Sequence, residues 1–209
     1  MVRFVSGARI GAALLMLAAV ARLMWDQVEA DTLVLWNFFG FFTIQTNLIG
    51  AFALIVVATR TGRARPAWLE YLRASAAVYL VIVVAVFWTL LAPTSDDLTR
   101  WTNLVVHGLS GVVLVVDWLI EGPRERLPLT RLWVVIAYPL GWAAVVLVRG
   151  ATDGWVPYPF LEPAHGYASI AMVVGGICVA GLVLGAALYL TPRTRPVTVD
   201  DARVAVESR

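Results

Sequence analysis

Polar and apolar positions fall into blocks along this chain. Apolar runs of roughly 18 to 25 residues, each long enough to cross about 30 Å of hydrocarbon, alternate with short polar connections. The runs extend from about Val5 to Trp25, Val34 to Thr59, Ala74 to Ala92, Trp101 to Ile120, Leu132 to Val148 and Tyr167 to Leu190. Pro93, Gly122-Pro123 and Thr191-Pro192 close three of them. This pattern predicts an all-α polytopic membrane protein, a bundle of six transmembrane helices in one domain over residues 1–192. The remaining segment, 193–209, is polar and of mixed charge, and is expected to be a disordered cytoplasmic tail.

Composition supports the membrane reading. The chain is 60% hydrophobic and 14% charged, with a mean hydropathy of +0.80, whereas a soluble domain carries about 25% charged residues. The charges are sorted by connection. Arg3 and Arg9 precede or enter the first run, Arg60, Arg63, Arg65 and Arg73 follow the second, and Arg124, Arg126 and Arg131 follow the fourth. Arg193, Arg195, Arg203 and Arg209 lie in the tail. The intervening connections are mainly acidic, with Asp26, Glu29 and Asp31, then Asp96 and Asp97, then Asp153 and Glu162; only Arg22, Arg100 and Arg149 fall there. Because arginine-rich segments stay in the cytoplasm, both termini are expected to be cytoplasmic in a multi-pass protein of the cell membrane. The first run is similar to a signal peptide but has no small-x-small cleavage site before Asp26, so it is read as a retained span. All 16 basic residues are arginine, which suggests a high-GC bacterial source. Cys178 is the single cysteine, within an apolar run, and is read as a helix-packing residue.

Candidate chemistry resides in two polar stripes. In the second run, Asn37, Thr43, Gln45, Thr46 and Asn47 interrupt an otherwise apolar sequence. Phe39, Thr43, Thr46 and Gly50 recur at helical spacing and are expected on one face, with Asn47 beside them. In the fourth run, Asn103, His107, Ser110, Leu114 and Asp117 repeat with the same period. Hydrocarbon penalises unpaired polar groups, so both stripes are expected to face inward, as helix–helix glue or as the lining of a cavity. The two runs are predicted to be parallel, and Thr43 and His107 fall at similar distances from the same ends, so a rise of about 1.5 Å per residue puts them at similar depth. Histidine exchanges a proton near neutral pH, and a hydroxyl beside it is the minimal arrangement for nucleophilic acyl chemistry. Asp117 is about ten residues deeper than His107, roughly 15 Å at that rise, and is expected to pair with an arginine such as Arg124 or Arg131.

In the fifth run Tyr138, Trp142, Val145 and Arg149 share a face, with Arg149 placed either to reach headgroups or to hold an anionic group of a ligand. The connection after it, with Trp155, Tyr158, Phe160, Tyr167 and three prolines, is either a lid over the cavity or an aromatic anchor at the interface. No Walker, GxSxG or HExxH pattern, metal-spaced Cys/His cluster or dinucleotide-binding glycine pattern occurs, so neither a metal nor a cofactor is expected.

Several stretches together resemble the bacterial Pr6Pr-type six-span membrane proteins. They are Phe42-Thr43-Ile44-Gln45-Thr46-Asn47-Leu48, His107 through Asp117-Trp118-Leu119, and Tyr138-Pro139 followed by Arg149-Gly150 and Trp155-Val156-Pro157-Tyr158-Pro159-Phe160-Leu161. That group is more distantly similar to the androgen-induced transmembrane hydrolases, which hydrolyse esters of hydroxylated fatty acids with an intramembrane threonine and histidine. The resemblance implies Thr43 as nucleophile and His107 as base, with Thr46 as the alternative hydroxyl. Asn37, Gln45, Thr46, Asn47, Asn103, Ser110, Tyr138, Trp142 and Arg149 are the expected cavity-lining or substrate-binding residues. The expected function is thus intramembrane hydrolysis of a lipid ester, with membrane lipids and not nucleic acid as partners. The alternatives are a non-enzymatic protein that binds or transports a small amphipathic ligand, and a scaffold whose polar residues only hold helices together.

Overall fold

A computed structural model describes residues 1–94, 98–123 and 126–191. All regular structure among these residues is helical. The chain forms α1 (Val2–Glu29), α2 (Leu35–Phe38), α3 (Phe42–Ala58), α4 (Ala67–Val86), α5 (Trp101–Leu104), α6 (Ser110–Ile120), α7 (Trp133–Thr152) and α8 (Tyr167–Leu190). A π-helical turn, Phe87–Leu91, extends α4, and another, Val105–Leu109, joins α5 to α6. Five continuous helical segments are long and apolar enough to cross a membrane: Val2–Glu29, Ala67–Leu91, Trp101–Ile120, Leu129–Thr152 and Tyr167–Leu190. The shorter α3 is just as apolar and has the most buried surroundings of the bundle's centre, with Ala51, Ala53, Leu54 and Val57 all nearly inaccessible.

Two boundaries differ from the sequence reading. The second apolar run is not one helix: the chain turns between Phe38 and Phe42, so Phe39 does not continue the face of Thr43, Thr46 and Gly50. Tight packing sets this break. Phe41 adopts an extended backbone, and Gly40 lies against the indole of Trp155, in space that a side chain on residue 40 would occupy. The third helix also begins earlier than predicted, at Ala67 and not Ala74, because Glu70 and Arg73 are buried in ion pairs rather than left in a connection.

Those pairs form one end of the bundle. Arg9 Nε meets Asp117 Oδ1 at 2.6 Å and its Nη1 meets Glu121 Oε2 at 2.7 Å. Arg73 bonds Asp117 at 2.7 Å and Glu70 at 2.8 Å, and Arg65 pairs with Glu121 at 2.8 Å and also with Glu70. Three guanidinium groups and three carboxylates therefore balance, as buried charge requires. Asp117 is thus paired with Arg9 and Arg73 and not with Arg131; the expected partner Arg124 lies outside the described residues, as do Asp96, Asp97 and the tail. A core of Met16, Ala51, Leu54, Ala77, Leu80 and Leu114 separates this charged end from the other, where Thr43 and His107 are found. Close approach of α6 to α4 depends on Gly111, where a Cβ would sit 3.2 Å from the Leu80 carbonyl oxygen.

Candidate functional site

The break before α3 gives Thr43 its chemical setting. Thr43 is the second residue of the helix, so its backbone N–H has no partner within the helix and lies at the positive end of the helix dipole. That N–H donates to the Tyr158 hydroxyl at 3.3 Å. The same hydroxyl is 3.4 Å from Thr43 Oγ1. Tyr158 is held among Phe41, Trp142 and Phe160, and burial raises its phenol pKa above the ordinary value, so it remains protonated.

His107 owes its placement to the π-helical turn. Its backbone, at φ −116° and ψ 15°, departs from helical values. Such a turn frees carbonyl groups that the regular helix would use. Two of them are taken by side chains: Trp88 Nε1 donates to the His107 carbonyl at 2.8 Å, and Asn47 Nδ2 donates to that of Val106 at 3.2 Å. Asn47 also donates to the Thr43 carbonyl at 2.9 Å, and so ties the first turn of α3 to the turn that carries the histidine.

The result is a linear relay. His107 Nε2 lies 3.4 Å from Thr43 Oγ1. On the other side of the ring, Nδ1 is 2.6 Å from Asn103 Oδ1. With Nδ1 donating to that oxygen, Nε2 carries the lone pair and faces the hydroxyl. Phe87 stacks on the imidazole, with centroids 3.8 Å apart and planes within 12°, and fixes its tilt. Two cavities meet at Thr43. One, of about 330 Å³, is lined by Leu23, Gln27, Ile44, His107 and Pro157 among others. The second is a narrower slot of about 70 Å³ with almost wholly apolar walls from α4, α7 and α8.

The other predicted residues divide clearly. Thr46 is fully buried and its hydroxyl donates to the Phe42 carbonyl at 2.8 Å, away from the relay. Ser110 is likewise buried and bonds the Val106 carbonyl at 3.3 Å. Gln45 donates to the Phe39 carbonyl and accepts from the Tyr138 hydroxyl at 2.5 Å, at the bundle's flank. Trp142 lines the slot and donates its indole N–H to the Gly40 carbonyl at 2.9 Å. Arg149 bonds Asn37 Oδ1 and Asp153 Oδ2, each at 2.9 Å, and lies over Trp155 at 4.2 Å. It thereby clasps the connection after α7 to α2. Among the described residues no group of three or more His, Cys, Asp or Glu side chains is placed to hold a metal.

Sequence reasoning did not single out Tyr158 as a partner of Thr43, nor Trp88 and Phe87 as supports of His107. The first lies 115 positions from Thr43, and nothing in local spacing signals such a fold-back. No protein-family model, curated protein or solved structure matches this chain.

Proposed function

We propose that this protein is an intramembrane hydrolase of lipid esters, of the kind its resemblance to the Pr6Pr-type proteins implies, with Thr43 as nucleophile. The observation that carries this reading is the relay of Thr43, His107 and Asn103 at the junction of two cavities. His107 Nε2 takes the proton from Thr43 Oγ1 as that oxygen attacks the ester carbonyl. Asn103 holds the imidazole in the tautomer that can accept it. The carbonyl oxygen, as it becomes negative, is met by the first turn of α3 and the protonated Tyr158 hydroxyl, which supply the dipole and the O–H donor that an oxyanion needs. The leaving alkoxide takes the proton back from His107. Water then attacks the acyl-threonine and gives a proton to Nε2; as the bond from carbonyl carbon to Thr43 Oγ1 breaks, Nε2 returns that proton to Oγ1 and the fatty acid leaves. A hydroxylated fatty-acid ester is the substrate class that the resemblance implies.

In the membrane we place six spans, α3 being the sixth, with both termini cytoplasmic. The alternation of arginine-rich and acidic connections supports this. Thr43 then lies in the outer half of the bilayer. Reporter fusions at Arg63 and Asp153 are expected to report opposite compartments, and the same compartment for both ends this topology. The chemistry is tested by labelling purified protein with a fluorophosphonate probe and following lipid-ester turnover. Labelling and turnover that both vanish in Thr43→Val are expected; a wild-type protein that does neither rejects the hydrolase reading.

A further inference from the structure

The two cavities differ in a way that orients a substrate. Both reach Thr43, and both are bordered by Phe87, Leu91 and Tyr158. Only the wider one is lined by His107, and Gln27 also lines it. The slot includes no imidazole. Its far walls are Ile82 and Val83 of α4, Ala143 of α7 and Val174, Ile177 and Cys178 of α8.

An ester bound with its carbonyl carbon at Thr43 Oγ1 sends its two arms in different directions. The arm that departs must receive a proton as the bond from carbonyl carbon to alkoxide oxygen breaks. His107 Nε2 has just taken that proton from Thr43 and lies on the side of the wider cavity. The alkoxide oxygen must therefore lie there, and the acyl arm is left with the other exit. We infer that the slot between α4, α7 and α8 is the acyl-chain site, and that the wider cavity beside His107 takes the alcohol. The apolar walls suit a hydrocarbon chain, which gains by leaving water and needs no hydrogen-bond partner. A glutamine, Gln27, on the lining of the wider cavity suits an alcohol arm that carries a further polar group. Cys178 of α8 and Ala143 of α7, both lining the slot, then set the length of acyl chain that the enzyme accepts.

This inference rests on the hydrolase reading and adds a direction to it. It is tested with the full chain in nanodiscs and p-nitrophenyl acetate, butyrate, octanoate and laurate. Cys178→Phe and Ala143→Phe fill the slot from two different helices, so one variant serves if the other does not fold. Each is expected to lower octanoate and laurate turnover by at least about tenfold while acetate turnover stays within about threefold of wild type, since pocket contacts discriminate at the scale of methylenes. Leu23→Phe narrows the wider cavity. It is expected to keep the acyl-length profile and to slow octanoates of bulky alcohols relative to methyl octanoate. Slot variants that fold and hydrolyse all four esters in wild-type proportions overturn the assignment, as does a Leu23→Phe protein that loses long acyl chains instead. In either case Thr43- and His107-dependent turnover would leave the hydrolase reading standing. Absence of any turnover by the wild-type protein removes both.

Discussion

The two ends of this bundle bury polar side chains in opposite manners. At the charged end, Arg9, Arg65 and Arg73 meet Glu70, Asp117 and Glu121 with pair distances of 2.6 to 2.8 Å wherever Asp117 or Glu121 is involved. Three guanidinium groups and three carboxylates neutralise one another, while Arg9 Nη2 lacks a hydrogen-bond partner and Arg9 and Asp117 border a cavity of about 340 Å³. At the other end, Thr43, His107 and Tyr158 meet as hydroxyl and imidazole groups, and the two bonds to Thr43 Oγ1 are both 3.4 Å long. Thr43 and Tyr158 border open space on two sides, and His107 on one. A charge-balanced cluster of this kind holds helices in register, since every charge already has its counter-charge. Hydroxyl and imidazole groups with loose bonds and adjacent room can exchange protons and accept a third partner. Neither polarity nor adjacent room alone therefore marks the relay, since Arg9 and Asp117 also border a cavity, of about 340 Å³; what sets the relay apart is a hydroxyl and an imidazole that can pass a proton between them.

This contrast can be broken by mutation at either end. The largest effect is expected at the relay. His107→Ala should slow ester turnover by about two to four orders of magnitude, the usual worth of a general base, with the thermal transition in detergent little changed. A variant as active as wild type would reduce the relay to packing. Tyr158→Phe should follow, lowering kcat by about a hundredfold if its hydroxyl serves the oxyanion, with KM nearly constant; equal loss in every step of binding would assign it to packing of the connection after α7.

At the charged end the expected currency is stability. Arg73→Met leaves Asp117 and Glu70 short of a counter-charge and should cost about 3 to 5 kcal/mol, read as a fall in thermal or denaturant midpoint. The fraction that remains folded should retain wild-type kcat. A selective loss of kcat with full stability would show that the two ends are not independent. Smallest of all is Thr46→Val. Its hydroxyl bonds only within α3, so the change should cost about 1 kcal/mol of stability and spare turnover. Loss of activity there would transfer the nucleophile's role from Thr43 to Thr46.

The sequence was informative where function follows periodicity. Helical spacing puts Asn103 one turn from His107, and matched depth brings Thr43 opposite, so three members of the site could be named from the chain alone. Their division of labour could not. Both threonines share a face of α3, and only the position of the helix start decides which hydroxyl is free: Thr43 is in the first turn, while Thr46 finds a carbonyl one turn back. That start depends on the packing of Gly40 against Trp155, a contact between distant segments. The π-helical turn is likewise invisible to a 3.6-residue period, because it consists of departing from it. Asp117 illustrates the same limit for charge. Arginine segregation told which end it belongs to, but Arg9 and Arg73 were chosen over Arg131 by the way α1 and α4 pack against α6.

The shortness of α3 has a consequence for the second substrate of any hydrolysis. Its 17 residues rise about 25 Å, some 5 Å less than the hydrocarbon thickness of a typical bilayer. A helix too short for its membrane draws the lipid surface down toward it. The thinned leaflet would lie over the end at which Thr43 sits, above a cavity bordered by Gln27 and His107. In the hydrolase we propose, water would then reach the acyl-threonine from the aqueous side, while the ester arrives laterally from the lipid. Two reactants that do not share a solvent would thus meet at one residue because a single helix stops early.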